Sequence, residues 1–284
     1  MRSIDLEKDP YLKQLMYAVA GGGKTSLYGT VLDVPELLPC CWIDAGGQPV
    51  ALKRFRQHPN WKKLTLIELE KLSDLSAIHR WFKQGQPSKD RLMVDEVGLT
   101  PGYKSVVFDG ISHFQQLSFQ RVMSTEETGL GETTRKPEWQ DYGSVLEQMI
   151  RFAMGMWSLP LHVMVTALER EERDKEGVGK PTVKPGLRGQ AVEYIPSYCN
   201  LMGRLQHRER LDKNVASQLK GKLDKDTYNI AFFKATEHRW GKDQYGIGTT
   251  YIIDPTMREI YDRVFNLEAF RANARKAAIQ RPAA

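Results

Sequence analysis

The sequence has few of the residues that an extracellular, zinc-binding or membrane protein needs. Its three cysteines, Cys40, Cys41 and Cys199, form no Cys-x-x-Cys pair, which excludes a disulfide framework and favours a reducing compartment. The six histidines are scattered, and none stands at metal-ligand spacing from a cysteine or an acid. No apolar run approaches the length of a membrane span, and the N-terminus lacks the apolar core of a signal peptide. We therefore expect a cytoplasmic protein without a membrane partner.

The composition fits a globular chain. With 284 residues, of which 41% are hydrophobic and 27% charged, the chain is long enough to bury a sizeable core in one large or two small domains. The net charge of +6 permits contact with nucleic acid, but many basic proteins only carry a solvated lysine surface. Charge alone therefore identifies no partner.

A glycine-rich stretch lies where a predicted strand, residues 15–19, meets a predicted helix. It consists of Ala20, Gly21, Gly22, Gly23, Lys24, Thr25 and Ser26. Glycines let backbone N–H groups surround phosphate oxygens at a helix N-terminus, whose dipole favours an anion. Lys24 is predicted to reach the β and γ phosphates of ATP, and the Thr25 hydroxyl to ligate Mg²⁺. The pattern G-x-x-x-x-G-K-[ST] is complete except at its first position, Ala18, so we predict a phosphate-binding P-loop.

Two acidic positions compete for the second magnesium ligand. A P-loop needs an acidic residue at the end of a neighbouring buried strand. Residues 105–108 followed by Asp109 fit this requirement, as do residues 92–94 followed by Asp95 and Glu96. We favour Asp109, because its flanks indicate a strand and then a helix, as a parallel sheet requires. Asp95 and Glu96 are predicted to lie on the connection before that strand.

Strands and helices alternate along the chain. Further strands are predicted over residues 39–47, 64–69, 161–166, 229–234 and 249–253. Three helices are also predicted: one that Ser73 caps, one that follows Asp109, and one over residues 145–156. Residues 124–138 are predicted to form a loop, and residues 169–190 a long charged connection. The alternation indicates an α/β fold with a mostly parallel central sheet covered by helices on both faces. We expect one domain over residues 1–265 and a basic helix or tail over 266–284.

The motifs together resemble the phage-encoded RecA-like ATPases of the phage nucleotide-binding AAA family, which includes core-only single-strand-annealing recombinases. The matching pieces are residues 17–26, 106–112, 139–143, 163–167 and 185–189, spread over most of the chain. The Asp-Tyr-Gly and Pro-Gly-Leu-x-Gly pieces are more specific than the P-loop. The resemblance implies a RecA-like P-loop core with a C-terminal β-hairpin, assembly into rings or filaments, and action on single-stranded DNA inside a bacterial host. Phage single-strand-binding or replication proteins are implied partners.

The resemblance also implies roles for residues outside the P-loop. Thr166 occupies the polar sensor position at the end of the fifth predicted strand. The position of the family's catalytic glutamate is Gly46, so Glu96 or an acid from residues 124–138 would have to replace it. Lys242 keeps the lysine of a Lys-x-Arg-x-Gly element that reaches the neighbouring subunit's nucleotide, while Gln244 stands in place of the arginine, for which Arg239 is a possible substitute.

Three basic residues, Lys180, Lys184 and Arg188, lie where RecA-like proteins place a mobile DNA-binding loop. The alternative is an ordinary surface loop, since neighbouring acids dilute the charge and no aromatic residue lies between Arg170 and Gln190 to stack on bases. The sequence thus predicts a P-loop ATPase acting on single-stranded DNA in phage recombination. A nucleotide-binding scaffold with little hydrolysis that recruits replication or recombination proteins, and a helicase-type or packaging-type motor, stay open.

Overall fold

The computed structural model describes residues 11–46, 49–69, 71–123, 138–173, 180–208 and 228–270. Its centre is a ten-stranded sheet. The strands are β1 (Lys13–Ala18), β2 (Cys40–Asp44), β3 (Leu64–Glu68), β4 (Ser105–Asp109), β5 (His162–Glu172), β6 (Thr182–Pro185), β7 (Leu201–Arg208), β8 (Tyr228–Phe232), β9 (Lys242–Asp243) and β10 (Tyr251–Ile253).

Helices cover the sheet on both faces. They are α1 (Lys24–Gly29), α2 (Leu72–Lys83), α3 (Ile111–Met123), α4 (Trp139–Trp157), α5 (Ala191–Ser197) and α6 (Met257–Phe265), with a π-helix at Leu92–Glu96. α1 and α6 belong to the hydrophobic core on one face of the sheet, and α2, α3 and α4 belong to the core on the other. Within the described residues, no helix is both long and apolar enough to cross a membrane.

The strand order is β10-β8-β7-β1-β5-β4-β2-β3, with β6 beside β5 and β9 beside β7. From β7 to β3 the strands along this path are parallel, whereas β6, β8, β9 and β10 pair antiparallel. β1 is buried along its whole length. Leu15 and Tyr17 enter one core, and Met16 and Ala18 the other, because successive side chains point to opposite faces of a strand. The predicted α/β class with a mostly parallel sheet is confirmed.

Several local predictions need correction. The predicted cap Ser73 is wrong: α2 begins at Leu72, with Lys71 as its N-cap. The predicted connection over residues 169–190 contains strand structure in its described part, because β5 continues to Glu172 and pairs with β6 (Thr182–Pro185). The sequence patterns also missed β7. Most of the predicted 124–138 loop and residues 271–284 of the predicted tail lie outside the described residues.

A candidate phosphate-binding site at the carboxyl ends of the parallel strands

The glycine loop reverses the chain between β1 and α1. Gly21 and Gly23 have φ angles of 72° and 88°, in the left-handed region that favours glycine. A Cβ atom at Gly22 would lie 2.8 Å from the Cβ of Ala18, so a side chain there would collide with the end of β1. No side chain of the described residues caps the N-terminus of α1. The first N–H groups of this helix can therefore face an anion, as the sequence predicts.

Lys24 lies over the loop that precedes it. Its ammonium donates hydrogen bonds to the backbone oxygens of Ala18, at 3.1 Å, and Val19, at 2.9 Å. Burial lowers the pKa of Lys24, and the negative charges of Asp109 and Glu169 oppose that shift. The ammonium is thus partly desolvated, and its hydrogen-bond acceptors among the described residues are neutral groups that a charged phosphate can replace.

Asp109, at the end of β4, is held by hydroxyls from two other elements. The Thr25 hydroxyl donates to its Oδ2 at 2.9 Å, and the Thr166 hydroxyl donates to its Oδ1 at 2.6 Å. The Gly110 N–H in turn donates to the Thr166 oxygen at 2.8 Å. The structure therefore brings together three residues that the sequence places 57 or more positions apart.

These residues line a cavity of about 250 Å³ at the carboxyl ends of β1, β2 and β4, beside the middle of β5. Its walls include Ala20, Gly21, Lys24, Thr25, Asp44, Gly46, Asp109, Gly110, His113 and Thr166. A larger groove of about 670 Å³ runs between α2, α3 and α4. We assign the site to the smaller cavity, because it contains the glycine loop, the lysine and the carboxylate that phosphate chemistry needs.

Asp44, at the end of β2, is a site residue that sequence reasoning did not assign. It pairs in register with Asp109 and is 5% exposed. The Gly46 N–H donates to its Oδ1 at 3.3 Å, whereas its buried Oδ2 has no hydrogen-bond partner within the described residues. Burial raises the pKa of Asp44 to about 6, and the nearby charges of Asp109 and Glu68 add to the effect. The available signal was an acid at the end of a buried strand, as for Asp109.

The donor set suits magnesium. The Thr25 hydroxyl, the Asp109 carboxylate and the unpaired Oδ2 of Asp44 are all oxygen donors, the type that Mg²⁺ prefers. A buried carboxylate oxygen without a partner is costly, and water bound to a cation would supply the missing hydrogen bond. Thr25 and Asp109 are the residues that would hold the ion.

Glu96 lies outside the cavity. It is an exposed residue at the end of the π-helix, and it does not line the cavity wall. Residues 97–104 lead from this helix to the amino end of β4, whereas the cavity lies at the carboxyl end of that strand. The structure therefore does not bring Glu96 to the phosphate site.

Lys242 is bonded within its own chain. Its ammonium donates to the backbone oxygens of Ser197, at 2.9 Å, and Pro196, at 3.3 Å, at the C-terminal end of α5. A cation in this position complements the negative end of a helix dipole. The Arg239 guanidinium lies 4.2 Å from the centre of the Phe232 ring and donates to the Lys234 oxygen. A role for either residue in a neighbouring subunit stays a prediction.

The three predicted DNA-binding residues differ in their surroundings. Lys184 is buried on β6, where it forms an ion pair with Glu172 and lies 5.7 Å from the centre of the Trp240 ring. Lys180 and Arg188 are exposed. The backbone of Arg188 is fixed to α3, because its N–H donates to Gln115 Oε1 at 2.7 Å and its C=O accepts from Gln115 Nε2 at 3.1 Å.

The mostly parallel sheet, the glycine loop, and the Thr25–Asp109–Thr166 cluster define a P-loop NTPase of the α/β class with a candidate phosphate-binding site. The chain belongs to the AAA domain family AAA_24, whose model matches residues 11–231.

Two solved structures are similar to this chain at low sequence identity. The crystal structure of the flagellar accessory protein FlaH from Methanocaldococcus jannaschii is 12% identical, with a TM-score of 0.40, over 88% of this chain and 92% of that one. The crystal structure of the RadB recombinase is 16% identical, with a TM-score of 0.36, over 79% of this chain and 80% of that one. No curated protein matches the sequence.

Proposed function

We propose that the chain binds ATP with Mg²⁺ in the 250 Å³ cavity and hydrolyses the bond between its β and γ phosphates. The observation that carries the proposal is the carboxylate of Asp109 held between the hydroxyls of Thr25 and Thr166, beside the lysine of the glycine loop. Such a cluster positions oxygen ligands for a metal ion next to backbone and lysine donors for phosphate.

Each residue has a distinct task in this proposal. Lys24 leaves the carbonyls of Ala18 and Val19 and binds phosphate oxygens. Thr25 and Asp109 would hold Mg²⁺, which would supply positive charge beside the phosphates. Thr166 donates to the second oxygen of Asp109 and so fixes the orientation of the carboxylate, as an outer partner does for a metal ligand.

Replacing Asp109 with asparagine tests the metal site. The substitution keeps the shape but removes the negative charge, so we expect the Mg²⁺-dependent rate of ATP hydrolysis to fall about 10²-fold or more. The rate is measured over a Mg²⁺ titration, with Asp95→Asn as the control because Asp95 is exposed on the π-helix. If the wild-type protein binds ATP but shows no Mg²⁺-dependent turnover, the non-hydrolysing scaffold is the better account.

We further propose that the protein acts on single-stranded DNA in phage recombination or strand annealing. An aromatic surface formed by Phe119, Trp139, Tyr142 and Arg188 supports this proposal, since these residues line one cavity of about 350 Å³. Trp139 is 91% exposed, and the rings of Phe119 and Tyr142 lie 5.2 Å apart. Exposed aromatic rings stack on bases without reading sequence, and an arginine neutralises phosphate. In this proposal, α3 and α4 supply the stacking rings that the sequence between Arg170 and Gln190 lacks.

The aromatic surface is connected to the phosphate site through α3. This helix begins two residues after Asp109, and its Gln115 binds both backbone groups of Arg188. Its Ser112 hydroxyl accepts a hydrogen bond from the N–H of Leu168, which lines the phosphate cavity. These contacts give a physical route by which bound nucleotide can affect DNA binding. Assembly into rings or filaments and contact with phage single-strand-binding or replication proteins belong to the same proposal.

Substitutions on the aromatic surface test the DNA proposal. We expect Trp139→Ala to weaken binding of a fluorescent oligo-dT about tenfold, because stacking contributes about 1–3 kcal/mol per base. Arg188→Glu should weaken binding and reduce the slope of log K against log salt by about 1. Lys62→Glu is the matched control, since Lys62 is an exposed lysine before β3. Unchanged anisotropy curves for both variants would contradict the proposed DNA surface.

A further inference from the structure

Hydrolysis needs a group that orients the attacking water and accepts its proton. Among the described residues that line the phosphate cavity, the side chains able to accept that proton are Asp44, Asp109 and His113. Both oxygens of Asp109 accept hydroxyl hydrogen bonds, and this carboxylate is the proposed ligand of Mg²⁺. The choice therefore lies between Asp44 and His113.

His113 fills the space beside Gly46. The histidine lies on the first turn of α3, and a Cβ atom at Gly46 would be only 2.7 Å from its Nδ1. A Cβ atom at Gly110 would lie 3.1 Å from the same nitrogen. Two glycines thus leave room for one imidazole, and a larger residue at position 46 would displace it.

The imidazole is available for water. It is half-buried and forms no hydrogen bond with any other described residue. The carboxylate of Asp44 differs, because one of its oxygens accepts from the Gly46 N–H, and the other is shielded from bulk solvent and is the atom proposed to accept from a magnesium-bound water. In this cavity, the imidazole is the acceptor that water reaches without rearrangement of the end of β2.

We propose that His113 is a catalytic residue, the base that accepts a proton from the attacking water; this inference rests on the proposed ATP hydrolysis. The water oxygen forms a bond to the γ phosphorus while a ring nitrogen of His113 takes one water proton. The bond between the γ phosphorus and the bridging oxygen breaks, and its electron pair stays on ADP. Inorganic phosphate leaves, and the imidazolium returns its proton to solvent.

The inference is tested with His113→Ala. We expect kcat to fall about 10²-fold or more, the range for a general base, while KM for ATP and the affinity for a non-hydrolysable ATP analogue change less than about twofold. The matched control is His79→Ala, because His79 lies on α2 against Gly155, away from the phosphate cavity. Thermal unfolding of each variant checks that the fold is intact.

A paired substitution provides a readout that a merely structural histidine would not give. Gly46→Glu alone should lower turnover, because its side chain collides with the imidazole. In Gly46→Glu/His113→Ala the carboxylate has room, and we expect kcat at least about tenfold above that of His113→Ala, since a carboxylate can also serve as a base.

The outcomes separate this inference from the proposed function. If the wild-type protein shows no ATPase activity, the proposed hydrolysis itself fails. If the wild-type protein hydrolyses ATP and His113→Ala does so at the same rate, the assignment of His113 is wrong. Loss of analogue binding in His113→Ala would show a structural role and also overturn the assignment. Loss of turnover in Asp44→Asn, with normal turnover in His113→Ala, would make Asp44 the base.

Discussion

The Lys24→Ala variant is expected to lose measurable ATP hydrolysis and most of its affinity for ATP. In the part of the chain that the structure describes, the Lys24 ammonium donates to the carbonyls of Ala18 and Val19, which are neutral acceptors. A phosphate oxygen is a stronger acceptor, since charge-assisted hydrogen bonds are about twice as strong as neutral ones. Removing one such bond costs about 1.5–3 kcal/mol, or roughly 10- to 100-fold in affinity. Loss of the same charge in the transition state lowers the rate by about a further 10²-fold.

Thermal unfolding with and without ATP gives an independent measurement for Lys24→Ala. Burial lowers the pKa of Lys24, so the charged ammonium is an unfavourable group in the nucleotide-free fold. We therefore expect the variant to unfold at a temperature no lower than the wild type without ATP, and to gain much less stability than the wild type when ATP is added at the same concentration. The control is Lys83→Ala, an exposed lysine at the end of α2. An equal ATP-induced shift in the wild type and Lys24→Ala would contradict the assignment of the phosphate site.

The Arg204→Met variant is expected to be less stable than the wild type by about 3–5 kcal/mol, the cost of leaving a buried charge without its partner. Arg204 on β7 donates to both carboxylate oxygens of Glu169 on β5, at 3.0 and 3.1 Å. The two side chains are only 17% and 8% exposed. The ion pair joins β5 to β7 across the strand between them, β1. Loss of the arginine leaves the Glu169 carboxylate unpaired near the loop that carries Lys24.

Urea unfolding of a double-mutant cycle measures this effect. Glu169→Gln in the Arg204→Met background removes the unpaired charge and should restore part of the lost free energy of unfolding. The comparison pair is Arg151 and Glu147 on α4, whose side chains are 77% and 63% exposed. Arg151→Met should cost less than about 1 kcal/mol, because water screens an exposed ion pair. Equal costs for the two arginine substitutions would show that burial does not strengthen the Arg204–Glu169 pair.

Strong local patterns predicted much of the fold. β1, β2, β3 and β4 were recognisable as compact apolar runs, and α4 as apolar residues at helical spacing, because burial on both faces or on one face imposes these patterns. β7 was missed, although its sequence LMGRLQHR contains apolar residues, since it includes a glycine and two basic residues. β6 and β9 are short and paired to distant segments, so their neighbours decide their conformation more than their own residues do.

The surroundings of charged residues were the least predictable part of the site. Lys184 resembles any surface lysine in the sequence, yet Glu172 and Trp240 enclose it in the folded chain. Glu96 follows an aspartate, as a catalytic glutamate often does. It lies on the segment before the amino end of β4, whereas the cavity lies at the carboxyl end of that strand. Each outcome depends on strand direction and hairpin pairing, which two or three neighbouring residues do not encode.

By itself, the sequence determined the glycine loop, the lysine and threonine that follow it, and the acid at the end of β4, because each depends on residues adjacent in the chain. Only the tertiary structure decided that Asp44 and His113 line the same cavity, and that Trp139 and Tyr142 lie beside Arg188. The register of parallel strands and the packing of α3 against α4 create these contacts. They join residues tens of positions apart, so no local pattern specifies them.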